Sequence, residues 1–257
     1  MVENHFGDES GAWLNCIPKY ANFQMPSGRF RTALRYRYRL KAVQHIPGSI
    51  CKCNRPLDCF GHHLATGCNH GGERIATYDS IKLEVHRILQ YAGKWSKVED
   101  HGVFHNTNPD SKLRPDIIIR NPVGSNTSLH VLDVAVCGPI RGEPGKALTQ
   151  IARSKTRKYG SHCTANGFSF TPLIIESSGL MHCDFLRLLK QLASSAAETR
   201  RIPSHILLQF FVRRISMRLT MSIAEAIDGR YSKLNSHSDL DFDPGFSSEV
   251  ILGVYDN

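Results

Sequence analysis

Two groups of residues in this chain have the types and spacing to do chemistry. The first is Cys51-Lys52-Cys53, followed by His63 and, after four further residues, by Cys68. Thiolates and imidazoles are the donors that zinc prefers, and a structural zinc site takes four of them in a tetrahedron. Four cysteines and two adjacent histidines, Cys59 and His62 among them, fall within 18 positions. Spacing favours His63 over His62 as the imidazole ligand and leaves Cys59 as a spare thiol. The expected set is therefore Cys51, Cys53, His63 and Cys68, with His62 as the alternative to His63. The stretch is rich in glycine and poor in long apolar side chains, so a metal would replace the core it lacks. The second group is acidic. Asp116 follows Arg114-Pro115 at the start of one β pattern, and Asp133 sits within Val131-Leu-Asp-Val-Ala-Val136 in the next. A carboxylate among β-branched residues is costly to bury unless it is paired or bound to metal.

Neighbouring strands can bring Asp116 and Asp133 to one spot. Such a pair offers the hard oxygen donors that Mg²⁺ takes, with its other positions left to water and phosphate. An ion held there would activate water and neutralise charge on a phosphoryl group. Lys155 belongs with this pair. On a helical wheel Leu148, Ile151, Ala152 and Tyr159 share one face and Lys155 falls in its middle, while Arg153 and Arg157 point the other way. A lysine aimed at the sheet would counter the carboxylates and orient the attacking water or stabilise a pentacovalent phosphate. Glu99 is a third candidate carboxylate on the preceding strand, and Glu84, on the edge of a helical stripe, is a weaker one.

The elements that must position these groups follow from periodicity. Ile81, Val85, Ile88, Leu89 and Ala92 make one apolar stripe, so residues 79–92 read as a helix ended by Gly93. Residues 95–104, 115–120 and 129–137 read as strands, the last continuous enough to be central. A helix over 146–159, a strand over 170–176 and a helix over 181–199 follow. The order helix, three strands, helix, strand, helix is an α/β layer architecture. Residues 204–235 read as one long amphipathic helix or two short ones, with Leu208, Phe211, Ile215 and Leu219 facing the core and Arg213, Arg214 and Arg218 lying away from it. In the lead-in, Phe30, Leu34 and Tyr38 recur every four residues on one helix face, and Arg31, Arg35 and Arg39 on another. Three arginines in register suit phosphate contacts.

These readings divide the chain into a disordered tail (1–10), a basic helical lead-in (11–47) that ends at Ile46-Pro47-Gly48, the Cys/His module (48–73), an α/β core (74–200), a helical extension (201–235) and a tail (236–257) to which no element is assigned. The 257 residues carry a formal net charge of +9 and are 41% hydrophobic, enough for one sizeable core with a small satellite. A basic balance favours a polyanionic partner, nucleic acid or an anionic membrane face. No run is long and apolar enough to span a bilayer, and the polar, acidic start is unlike a secretory signal. A reducing compartment is expected, where eight cysteines are thiols or metal ligands rather than disulfides.

Taken in order, the Cys-x-Cys…His-x4-Cys cluster, the following GGERIATYDSI, the Arg-Pro-Asp step, Asp133, the Lys155-Thr-Arg-Lys158-Tyr159 run and FTPLIIESSGL resemble the C-terminal region of site-specific non-LTR retrotransposon polyproteins. The resemblance covers roughly residues 12–230. It implies a Cys-Cys-His-Cys zinc knuckle ahead of a restriction-like endonuclease of the PD-(D/E)xK fold, acting on DNA, with RNA as a further partner, in the nucleus. It implies that Asp116 is the Asp of the PD motif and that Asp133 is the acidic residue of the third strand, together holding Mg²⁺. Ala135 stands where the standard motif has its lysine, and Lys155 matches the displaced lysine on the next helix, with Lys158 and Tyr159 close by. Glu99 matches an acidic position of the first strand. Arg31, Arg35, Arg39, Arg114, Lys158 and Tyr159 are the expected nucleic-acid contacts. Thr77-Tyr78-Asp79 departs from the family's Arg-His-Asn step. No polymerase is encoded in these residues, which makes the chain a terminal fragment, a domesticated domain or a decayed copy. The expected activity is Mg²⁺-dependent nicking of target DNA, and the alternative is a catalytically silent zinc-containing nucleic-acid binder.

Overall fold

The nine residues from Leu129 to Cys137 are hydrophobic on both faces apart from His130 and Asp133, and they form the strand on which the rest is built. The computed structural model describes residues 8–42, 50–105, 113–120, 129–138 and 145–235. Four strands, β1 (Ser96–Val98), β2 (Ile117–Arg120), β3 (Leu129–Cys137) and β4 (Ser169–Glu176), lie in that order in one sheet. β1–β2 and β2–β3 pair antiparallel, and β3–β4 pair parallel. A parallel pair needs a long crossover, here containing the helix Lys146–Ala165. Pro172 cannot donate to a ladder, and it sits on β4 at the edge of the sheet, where no partner needs its missing N–H.

Among the described residues five α-helices accompany this sheet: α1 (Ser27–Arg37), α2 (Glu73–Tyr91), α3 (Lys146–Ala165), α4 (Cys183–Arg200) and α5 (Ser204–Asn235). The two-residue period of the strands sorts their side chains. Ile117, Ile119, Leu132, Val134, Leu173 and Ile175 enter the main core with the buried faces of α2, α4 and α5. Ile118, Val131 and Ile174 face the opposite way, toward Tyr159, Cys163, Ala152 and Leu148 of α3. Asp116 and Asp133 belong by parity to this α3 side.

The chain is thus a mixed α/β protein with helix, three strands, helix, strand, helix in sequence order. Several boundaries differ from expectation. α2 begins at Glu73 rather than 79, because Gly72 and Gly71 take positive φ and the Cys/His module runs straight into the helix. β1 stops at Val98, since Glu99 adopts a φ of 53° and turns the chain out of the extended region. α3 runs on to Ala165 rather than 159, and the segment from Ser204 is one helix.

α5 is central rather than an extension. Leu207, Phe211, Ile215, Leu219, Ile223 and Ile227 make one stripe buried in the main core, and Met217 and Ala224 are buried on another face against Trp13 and Ala33, so α5 buries more than one narrow stripe. Leu208, expected to face the core, is only partly buried at its edge. The lead-in also packs on α5. A 3₁₀ turn over Asp8–Asn15 buries Trp13, which overturns disorder for residues 8–10, and residues 1–7 lie outside the described residues. In α1 the buried face is Thr32, Ala33 and Tyr36, while Phe30 and Tyr38 are exposed. Polar partners decide this: Thr32 donates to Asp228 of α5 at 2.8 Å, and the Tyr36 hydroxyl shares a hydrogen bond with Ser177 at 2.8 Å. Ile46-Pro47-Gly48 and the 236–257 tail fall outside the described residues.

Candidate functional site: a thiolate–imidazole cluster and an acidic pair

The Cys/His module closes on itself. The donor atoms of Cys51, Cys53, His63 and Cys68 all lie within 4.8 Å of one another. Cys51 Sγ is 3.5 Å from Cys68 Sγ, and Cys53 Sγ is 3.3 Å from His63 Nε2. A tetrahedral zinc with bonds of about 2.3 Å to sulfur separates its ligands by roughly 3.8 Å, so the cluster fits that ion with a slight expansion. His63 is carried on a short helical turn, His63–Gly67, whose entry is held by Asp58. The Asp58 carboxylate accepts from the backbone N–H groups of Phe60, His62 and His63 at 3.0, 3.0 and 2.7 Å. These are the otherwise orphaned amides of a helix start. His62 turns away, edge-on to Tyr36 at 5.2 Å between ring centroids, and Cys59 stands apart from the cluster.

The module is bound to the core through α5. Arg230 is buried, and its guanidinium donates to Cys68 Sγ at 3.0 Å, to Cys51 Sγ at 3.6 Å and to Glu73 at 3.1 Å. Three thiolates around a divalent ion carry one net negative charge, which a buried arginine offsets. Gly71 is required here, because a Cβ at that position would overlap the Arg230 guanidinium and its φ is 101°. Leu64 and Ala65 of the module are buried in the main core. Arg230, Glu73 and Asp58 were not anticipated from sequence. Arg230 lies 162 residues from Cys68, and no local pattern joins them.

The acidic pair is built by strand register. Ile117 pairs with Leu132, so the next position sets Asp116 opposite Asp133 on the same face of the sheet. Both are buried, at 5% and 2% exposure. Lys155 reaches down from α3 and places Nζ 2.6 Å from Asp133 Oδ2. Asp116 Oδ2 accepts from the backbone N–H of Val134 at 2.6 Å, and its Oδ1 accepts from the Tyr78 hydroxyl of α2. Burial, reinforced by the negative charge of Asp133, pushes the Asp116 carboxyl up to about 7. The two carboxyls thus repel in a desolvated place, and a divalent cation would relieve that repulsion.

The remaining predicted residues fall around this centre in different ways. The Glu99 backbone N–H donates to the Asp116 carbonyl at 2.9 Å, which puts Glu99 beside the pair. Its carboxylate, however, is held by Lys82 of α2, which also pairs with Asp79 at 2.7 Å. The side chain of Lys82 holds Glu99's carboxyl below the usual carboxylate range. At this centre Lys82 and Tyr78 were not anticipated from sequence. Thr77-Tyr78-Asp79 turns out to serve this centre, since Tyr78 contacts Asp116 and Asp79 contacts Lys82. Glu84 is excluded by distance of role: it is buried in ion pairs with Arg214 at 2.5 Å and Arg87 at 3.2 Å.

Of the expected nucleic-acid contacts, Arg31, Arg39, Arg114 and Lys158 are exposed and Arg35 is half-buried. Arg39 lies past the end of α1 with a φ of 53°, so it does not continue the row of Arg31 and Arg35. Tyr159 is a correction. It is 1% exposed, stacks on Phe170 at 5.3 Å and donates to the Arg114 carbonyl at 3.0 Å. It shares the sheet-facing side of α3 with Lys155, but where the Lys155 side chain is 26% exposed Tyr159 is closed off, so it cannot contact a ligand from solvent. Burial and the nearby Asp133 charge raise its phenol well above the ordinary range.

No family model matches this chain, and no curated protein matches it. Among the described residues no helix is long and apolar enough to cross a membrane.

Proposed function

We propose that the chain is a metal-dependent DNA endonuclease, with a restriction-like core and a structural zinc knuckle, related to the C-terminal region of non-LTR retrotransposon polyproteins and acting in the nucleus. The observation that carries this reading is the convergence of three side chains from three elements. Asp116, the residue before β2, stands opposite Asp133 of β3 by register, and Lys155 contacts Asp133 at 2.6 Å. A module that only bound nucleic acid would have no use for two buried carboxylates whose charges repel.

Asp116 and Asp133 would hold Mg²⁺, which when bound supplies Lewis-acid activation of water and charge neutralisation at phosphate. Lys155 pairs with Asp133 and orients it, and its ammonium is placed to hold a water or a phosphate oxygen at the same spot. Tyr78 and the Val134 amide fix the plane of the Asp116 carboxyl. Glu99, one residue beyond β1 and joined by its backbone N–H to the Asp116 carbonyl, would be a further carboxylate beside the pair once released from Lys82.

A second reading keeps a specific observation behind it. Both oxygens of Asp116 are already hydrogen-bonded and Asp133 is already paired, so the acidic pair is internally satisfied in large part. A silent nucleic-acid binder of the same descent would look like this. Nicking of supercoiled plasmid in Mg²⁺ separates the two. Relaxation by the native chain, lost in Asp133→Ala with DNA binding retained, is the expected result. Binding without cutting by either protein would establish the silent binder.

A further inference from the structure

α3 carries five cations, Lys146, Arg153, Lys155, Arg157 and Lys158, and no carboxylate in 20 residues. This distribution works against the helix itself. Its first turn contains no acidic residue to complement the N-terminal dipole, and Arg153 and Arg157 repel at the i,i+4 spacing. Lys155 is accounted for by Asp133. Arg153 and Arg157 are both exposed, and neither has an ion-pair partner among the described residues.

The two arginines are not on an open convex surface. With Gln150 and Thr156 they form one wall of a groove whose floor is Pro172, and His182 stands on the opposite wall at the start of α4. Pro172 is the β4 residue in register with Asp133, so the groove lies one strand away from the acidic pair. It runs beside β4 at Pro172, which offers no N–H to another strand, just ahead of the stretch where residues 180–182 pair with β4 and His182 donates to the Ile174 carbonyl at 2.9 Å. Asp184, the one carboxylate in the lining, is neutralised by Arg187 at 2.5 Å and lies 3.4 Å from His182 Nδ1. The net charge of the groove lining is positive, and Gln150, Thr149 and Thr156 add amide and hydroxyl donors.

We propose that this groove between α3, the edge of β4 and the start of α4 holds the phosphodiester backbone of a DNA strand, with Arg153 and Arg157 contacting successive phosphates next to the Asp116–Asp133 pair. The inference deepens the nuclease reading by naming the path of the substrate, and it rests on that reading only for the identity of the neighbouring centre. Arginines one helical turn apart satisfy a polyanion in a way that they cannot satisfy one another.

The test measures binding of a fluorescent DNA duplex to the zinc-loaded full chain without added Mg²⁺, by anisotropy, over a series of KCl concentrations. R153Q/R157Q is compared with K19Q/K190Q, which removes the same charge from other exposed positions. Glutamine keeps the helix and relieves the arginine repulsion, so the melting temperature of R153Q/R157Q is expected to hold or rise. The expected result is about a tenfold loss of affinity and a salt dependence shallower by about two ions for the groove variant. The control pair is expected to lose less than half of that. Equal losses in both variants would reduce the effect to net charge and overturn the proposal, as would unchanged binding by R153Q/R157Q. Plasmid nicking by the native chain is scored separately. Nicking with groove-independent binding sinks the groove alone, whereas groove-dependent binding without nicking sinks the nuclease reading and leaves the groove standing.

Discussion

The Cys/His module and the acidic pair are both candidate metal centres, and they are built on opposite principles. In the module four thiol and imidazole donors lie within 4.8 Å of one another, enclosed by Asp58 on one side and Arg230 on the other. No ligand position is left over, which is the mark of a structural site. In the acidic centre two carboxyls supply only part of a coordination sphere, and burial makes their charges expensive. The first arrangement should supply stability and the second should consume it. The lesson is that a buried charged cluster can be a fastening or a reactive place, and the number of donors left unshared distinguishes them.

The sharpest break between the two lies in activity. Asp116→Asn should lower plasmid nicking by about a thousandfold or more while leaving DNA affinity within a factor of two or so. Loss of binding in parallel would make the acidic pair a structural element like the module.

Stability should show the reverse. Cys68→Ser, or removal of zinc by a chelator, should lower the melting temperature of the whole chain by roughly 10 °C, since a structural zinc is worth several kcal/mol and each moves a domain of this size by about 2–4 °C. The effect should be global because Leu64 and Ala65 share the core with α2 and α5. An unchanged melt would show that the module is only appended.

Arg230→Met tests how the module is fastened. It leaves Glu73 and the thiolates without their buried cation, which should cost about 3 kcal/mol. Zinc affinity, read by competition with a chromophoric chelator, should fall about tenfold. Retained affinity would mean that the Arg230 contacts are incidental to the metal.

The smallest effect is expected in pH dependence. In the absence of divalent ions Asp116 has a folded-state value of about 7 against 3.8 for the free side chain. The folded protein therefore binds more protons than the unfolded one between these values, and stability falls as pH rises from about 4 to 7. Asp116→Asn should flatten that slope and leave the metal-free protein more stable at pH 8, because the amide can still accept from Val134 and donate to Tyr78. A slope that persists in the variant would assign it to another group.

Much of the scaffold was legible because its signals are local. The limits of β3 and the order of elements follow from unbroken apolar runs and from glycines beyond helix ends, such as Gly93 with its φ of 71°. Lys155 could be aimed at the sheet from its wheel position alone, since 3.6-residue periodicity fixes direction once a helix is granted. Periodicity failed where polar partners from distant segments chose the buried face, as Asp228 and Ser177 did for α1. It also failed where a single residue with positive φ ended a strand, as Glu99 does.

The sequence by itself determined which residues could bind metal and which elements carry them, because donor type, strand pattern and helix phase are properties of neighbouring residues. Tertiary structure alone decided their company. Strand register set Asp116 opposite Asp133, the crossover laid Lys155 on them, and α5 brought Arg230 to thiolates more than 160 residues away. Contacts across such separations depend on how faces pack, and no short window of sequence contains that information.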